Sequence, residues 1–202
     1  MFEQYGPFFA VEQHTAPPPP PWRPLAELAA APELVDRLDR VSRALGSDRR
    51  TAGSIAQQGV VARLLAPVLA SVTLGRLPEL TGGYWQPPLD STFALSLPVA
   101  GPLTDEGVRA AVSQGPVAAV SARLGELAAV STRVLLGNVA SAVNGAALQL
   151  GPASYPAAAR LVAVVPGEDG RPGPAFRRRS CCLLYRVGGR CGDCVLRTAT
   201  GR

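Results

Sequence analysis

The chain contains no lysine; all 20 of its basic residues are arginines. That excludes Schiff-base chemistry and the phosphate-loop lysine together. Histidine is almost as scarce, with His14 alone just ahead of a proline run. Triads built on a positioned imidazole, and zinc sites built on several histidines, therefore have almost nothing to work with. No Gly-x-Gly-x-x-Gly turn follows a candidate strand and no phosphate loop occurs, which excludes binding of a nicotinamide, flavin or ATP through those motifs. Aromatic residues are 5% of the 202, and the arginines behind the net charge of +5 are scattered along the chain, so no nucleic-acid partner is expected. The most apolar stretch, Val60 to Leu74, is broken by Arg63 and Pro67 and is shorter than the ~20 residues of a membrane span. The start, MFEQYGPFFAVEQ, lacks the basic and apolar regions of a targeting segment. A cytoplasmic protein without a transmembrane span is the expectation.

What is present is a chain that is 47% hydrophobic, enough for one domain with a sizeable core. Pro17 to Pro21 impose an extended polyproline segment, so residues 1–23 read as an N-terminal arm with a Pro-rich connector. From Pro32, Leu34, Val35, Leu38, Val41 and Leu45 form one helical stripe that Gly46 stops. Ser47 is placed to cap a second helix running to Gly75, with Pro67 as a kink and an apolar surface nearly all round, which predicts burial. Alternation over Ser91 to Leu97 predicts a strand. Thr104 can cap a short helix to Val112, and Pro116 suits the start of a long one reaching about Leu136 and continuing after Gly137 to Leu150. Tyr155 to Val165 reads as a last helix, although LVAVV alone could equally be a strand. The expected fold is mainly α with a small β element (α+β): a helical domain over residues 24–166, then a linker and a cysteine motif over 167–202.

That motif holds all the cysteines of the chain, Cys181, Cys182, Cys191 and Cys194, within the run CCLLYRVGGRCGDC. The Cys-x2-Cys turn aims two sulfurs at a common point and the Gly188-Gly189 pair predicts a hairpin-like knuckle that returns the other two. Four thiolates suit tetrahedral zinc or an iron-sulfur cluster, and ligand softness does not choose between them. Because neighbouring strand residues point to opposite faces, Cys181 and Cys182 can serve one centre only if the backbone leaves strand geometry. A vicinal Cys181–Cys182 disulfide or plain free thiols are the other options, the bridge requiring strained geometry.

A Cys-Cys pair, a short apolar stretch and Cys-x2-Cys near the end of the chain resemble the 2Fe-2S signature of the FhuF-like ferric-siderophore reductases. The eight residues here between the pairs, 183 to 190, are a shorter spacer than that family's. RRSCCLLYRV and CGDCVLR are similar to its actinobacterial members, and QQGVVARLLAPVL and LLGNVASAVNGAA to two further segments. The resemblance implies that Cys181, Cys182, Cys191 and Cys194 ligate a 2Fe-2S cluster and that one electron passes from it to a cytoplasmic ferric-siderophore chelate, releasing ferrous iron. With no nucleotide motif of its own, the chain then needs an electron donor such as a ferredoxin, a flavodoxin or an NAD(P)H-dependent flavoprotein. Arg177, Arg178 and Arg179, just before the cysteines, are candidates to attract an anionic chelate and lower thiol pKa values, or are a solvated basic run. Arg133 and Asn138 resemble positions the family keeps, and Trp85 or Tyr84 could stack on a siderophore ring. The bland alternatives are an ion pair for Arg133, a helix break for Asn138 beside Gly137, and core packing for Trp85. Two other functions remain open: a structural four-cysteine zinc module in a non-catalytic scaffold, and an iron-sulfur redox or iron sensor. A reductase further requires the knuckle to fold back on the helical domain beside a groove for its substrate.

Overall fold

The computed structural model describes residues 1–196. Helix α1 (Pro32–Leu45) turns Leu34 and Leu38 inward and ends at Gly46, whose φ of 55° is a left-handed stop. Helix α2 (Arg49–Thr73) is capped by Asp48, which accepts the Thr51 backbone N–H at 2.7 Å, and not by Ser47. Ser47 is engaged in closing α1: its N–H donates to the Ser42 carbonyl while the Ser42 hydroxyl donates to its own. Helices α3 (Asp105–Ser113), α4 (Gly115–Ala128), α5 (Thr132–Leu150) and α6 (Tyr155–Val162) follow, and Thr104 caps α3 as expected, through the Gly107 N–H at 3.0 Å.

The long helix expected to continue past Gly137 is broken earlier. Ala129 leaves α4 with a φ of 51°, and α5 runs through Gly137 without interruption. An unbroken helix from 116 to 150 would be about 52 Å long, against about 37 Å for α2. Reversing the chain at Ala129 instead lays both α4 and α5 along α2. Helix α2 thereby becomes the central element, packed by α1, α4 and α5 and buried along almost its whole length. By length and composition it is apolar enough to cross a membrane, and 78% of that apolar window lies inside the protein.

The β structure is small. Strands β1 (Glu12–His14), β2 (Arg23–Pro24), β3 (Arg76–Leu77), β4 (Tyr84–Trp85), β5 (Leu95–Pro98) and β6 (Gly101–Pro102) form a four-stranded sheet in the order β1-β5-β4-β2 and a β3-β6 ribbon. β1 runs parallel to β5, with Glu12 opposite Ser96, and the β5-β4 and β4-β2 pairs are antiparallel. The strand expected from Ser91 begins only at Leu95. Asp90 takes the Thr92 N–H into a side-chain turn, and the Phe93 carbonyl is held by Arg63.

Residues 1–23 are woven into the core and do not form a free-standing arm. Phe9 and Val11 are buried in the same cluster as α2, the terminal ammonium donates to the Val11 carbonyl at 2.7 Å, and β1 is an edge of the sheet. Past the helices, Val165 and Phe176 belong to that cluster as well. The division into 1–23, 24–166 and 167–202 is one of composition over a shared core, and residues 197–202 of the last segment lie outside the described residues.

The arm is held by Arg63. It is only 2% exposed, and donates through Nε to Phe93 O at 3.0 Å, through Nη1 to Phe8 O at 3.0 Å and through Nη2 to Ala10 O at 2.6 Å. Burial pulls its pKa down to about 10, which leaves it charged at neutral pH, so three carbonyls share a full positive charge. Replacing it by Met keeps the bulk and orphans all three acceptors. Arg63→Met should lower unfolding free energy by about 3 kcal/mol, seen as a lower urea midpoint together with faster proteolysis inside residues 1–22. An unchanged midpoint would show that the arm is held by apolar packing alone.

Candidate metal centre

The cysteine segment contains no strand. A short 3-10 helix over Leu184–Val187 lies between two left-handed residues, Leu183 with a φ of 70° and Gly188 with a φ of 80°. The expected hairpin is replaced by this tight turn, closed by Gly189 N–H to Leu184 O at 3.2 Å. The left-handed step immediately after Cys182 lets the chain leave strand geometry at the adjacent pair, where the Leu183 N–H reaches back to Cys181 Sγ at 3.4 Å. On the other side, the Cys194 N–H donates to Cys191 O at 3.3 Å and closes the Cys-Gly-Asp-Cys turn.

The knuckle is fastened to α2 and α5 by one buried polar chain. The Ser54 hydroxyl on α2 donates to Cys182 O at 2.8 Å. Asn138 on α5, fully buried, donates through Nδ2 to Ser54 O at 2.9 Å and Ser54 Oγ at 3.0 Å. Its Oδ1 accepts from Arg178 Nη1 at 2.8 Å. Arg178 is 1% exposed; its backbone N–H donates to Asp193 O at 3.3 Å, and its Nε stands 3.4 Å from Asp193 Oδ2, an ion pair without hydrogen-bond alignment. Arg178 Nη2 and the Ser180 hydroxyl are buried with no partner. The knuckle can lie this close to α5 because position 137 is glycine: a Cβ there would fall 2.0 Å from Ser180 Oγ. Gly137 is thus a place of close approach within the helix and not the helix break that its residue type suggests.

All four cysteines are free thiols, so neither a vicinal nor any other bridge is formed. Cys182 and Cys194 are buried, and Cys181 and Cys191 are partly exposed. The Cys182 and Cys191 Sγ atoms lie 3.5 Å apart and share a hydrogen bond. That contact, helped by the Leu184 N–H and the Arg178 charge, pulls Cys182 down to about 6 against its burial, and the same contact together with burial pushes Cys191 up. Burial raises Cys181, and the charges of Cys182 and Cys194 raise it further. Arg178 opposes these rises at Cys181 and Cys191.

The residues fit a thiolate-bound metal in kind and in charge. Sulfurs on one tetrahedral metal lie about 3.8 Å apart, near the separation of the Cys182–Cys191 pair, and the site holds a buried guanidinium with an unused donor. Convergence stops at that pair: among the described residues, no three His, Cys, Asp or Glu side chains stand close enough together to hold a metal ion.

The other candidate residues separate clearly. Arg177, Arg178 and Arg179 do not act as a triplet: only Arg178 faces the thiols, whereas Arg177 is exposed and the exposed Arg179 forms a bidentate pair with Asp169. Arg133 is exposed and donates to Arg179 O at 3.3 Å, which places it beside the knuckle. Asn138, fully buried, is unable to touch a ligand in solvent and positions Arg178 instead. Trp85 is 0% exposed on β4, with the Arg23 guanidinium 4.8 Å from its ring centre, so stacking on a substrate is excluded and its role is core packing. Tyr84 is half-buried against His14.

Ser54, Asp193 and Glu168 were not recognisable as parts of this site from sequence. Asp193 was the nearest to legible, lying inside the Cys-x2-Cys turn, but Ser54 is one small residue among many in α2. Glu168 is only 7% exposed and accepts the Arg179 N–H through both oxygens. Nor, among the described residues, is the expected groove one of the three cavities found. A cavity of about 500 Å³ lies between the β3-β6 ribbon and α3, one of about 410 Å³ beside His14, and one of about 190 Å³ between α2 and α5 around Gln58 and Ser141; none is lined by a cysteine. The chain matches no protein-family model, no curated protein and no solved structure.

Asn138→Ala should orphan Arg178 Nη1 and release Ser54 together. The expected loss is about 2 to 3 kcal/mol of stability, with faster amide exchange over residues 176–196 than over α3. Uniform protection across both regions would mean that the knuckle is held without this chain of bonds.

Proposed function

We propose that the chain is an iron-sulfur electron-transfer protein whose Cys181, Cys182, Cys191 and Cys194 hold a 2Fe-2S cluster, and that it reduces a ferric-siderophore chelate. The observation that carries the reading is the knuckle itself: the only four thiols of the chain lie in one short segment, two partly exposed, against a fixed buried cation, and holding a cluster would require the other two to draw in toward the Cys182–Cys191 pair. Bound there, the cluster would supply one electron at a time to Fe(III) outside the protein. Hard oxygen ligands hold Fe(III) far better than Fe(II), so a single electron loosens the chelate and lets ferrous iron leave.

The chain's own residues account for the rest. Arg178 offsets negative charge gathered on the thiolates, and Asn138 and Ser54 keep it in place as that charge changes. Partial exposure of Cys181 and Cys191 leaves an edge that an outside redox partner can approach. None of the three cavities adjoins this edge, so the groove expected of a reductase is not met there and a chelate would have to reach the edge by surface contact. The position of the three cavities, all away from the cysteines, favours the second reading, a structural four-thiolate zinc module without turnover.

Anaerobically purified protein should be red-brown, carry about two iron atoms per chain, bleach with dithionite and then release ferrous iron from excess ferric chelate over many turnovers. Each single Cys→Ser variant should lose the colour, because a serine oxygen is a poor ligand for such iron. A colourless protein with one zinc atom would overturn the reductase and leave the scaffold.

A further inference from the structure

We propose that the solvent face of the cysteine knuckle is the docking surface for a small acidic electron-carrier protein; this rests on the electron-transfer reading above. Three of the exposed large hydrophobic side chains of the molecule, Tyr185, Val195 and Leu196, at 47%, 43% and 50% exposure, fall within this one short segment. Arg177 and Arg190 of the same segment, and Arg133, which donates to Arg179 O, are exposed and in no ion pair with a carboxylate among the described residues. Exposed aromatic and aliphatic side chains together with unpaired arginines are the composition of a protein interface.

Charge selects the partner. Of the six arginines between residues 170 and 196, Arg179 is paired with Asp169 and Arg186 with Asp48, while Arg171, Arg177 and Arg190 are exposed with no ion pair among the described residues; the one acid of the stretch is Asp193. Asp193 is itself buried against Arg178. A basic partner would be repelled and an acidic one steered in.

A small anionic chelate is the competing occupant of a cationic face. Small ligands bind in concave sites that enclose most of their surface, and none of the three cavities is lined by these six residues. An open face with exposed apolar side chains is suited to a protein. On the electron-transfer reading electrons arrive on another molecule, and the partly exposed Cys181 and Cys191 lie in the same short segment as Tyr185 and Arg190.

The probe is a plant-type 2Fe-2S ferredoxin, oxidised, titrated calorimetrically into the full chain. Binding needs no electron transfer and is scored whatever metal the knuckle holds, so a zinc-containing protein would end the reductase reading without deciding this one. Affinity should fall about tenfold or more from low salt to roughly 0.5 M salt. Arg177→Glu with Arg190→Glu should weaken it about tenfold or more, Tyr185→Ser should weaken it separately, and Arg109→Glu on α3 should leave it unchanged. Basic cytochrome c should not bind. Equal affinity in wild type and both knuckle variants, or equal loss in Arg109→Glu, would overturn the proposal. So would ferredoxin failing to bind while ferric citrate binds wild type and not the double variant, which would make the face a chelate site. Should the double variant fail to fold, Tyr185→Ser and the salt dependence of wild type decide the matter.

Discussion

The knuckle depends on one buried guanidinium. Arg178 reaches Asn138 on α5 through Nη1 and faces Asp193 inside the Cys-x2-Cys turn. Through Asn138 and Ser54 it is also linked to the carbonyl of Cys182. A charge taken out of water this completely is tolerable only with opposite charge or acceptors around it. Asp193 supplies one such group, and thiolate sulfurs supply more when deprotonated. The same charge that fastens the knuckle therefore favours the ionised thiols that a metal requires.

Arginine plays a comparable structural part elsewhere. Arg63 gathers three carbonyls from two distant loops, and the buried Arg37 reaches the carbonyls of Leu89 and Asp90 from α1. A planar fork with five donors can satisfy several carbonyls at once and remain charged in a dry interior, where a lysine would be far more easily neutralised. In a protein with little sheet, these side chains take over the cross-linking of irregular backbone that strand ladders would otherwise provide.

Residues 177–179 divide their roles within one short basic run. Arg178 faces the thiols, while Arg177 and Arg179 face water. One short stretch of chain thus places a fixed charge against the thiols and turns its neighbours to solvent, where Arg179 pairs with Asp169. Gly137 on α5 makes this possible by admitting Ser180 at a distance no other residue would allow.

Local chemistry was enough to read much of this molecule. The stripe Leu34 to Leu45, the Gly46 stop and the Thr104 cap defined α1 and the start of α3, because their signals lie within a turn or two of the residues they govern. The cysteine spacing located the candidate centre in the same way, and the absence of lysine and near-absence of histidine narrowed its chemistry to thiols. What tertiary structure alone decided was which side each residue faces. Asn138 looked like a helix break or a substrate contact, and became a buried bridge because Ser54, 84 residues away, and Arg178, 40 residues away, meet it there. Trp85 looked available for stacking and was enclosed by the sheet that the N-terminal arm completes. The break at Ala129 carried no glycine to announce it, since it follows from the packing of both α4 and α5 against the shorter α2. Burial is a property of partners far along the chain, and no local pattern of residues records who those partners are.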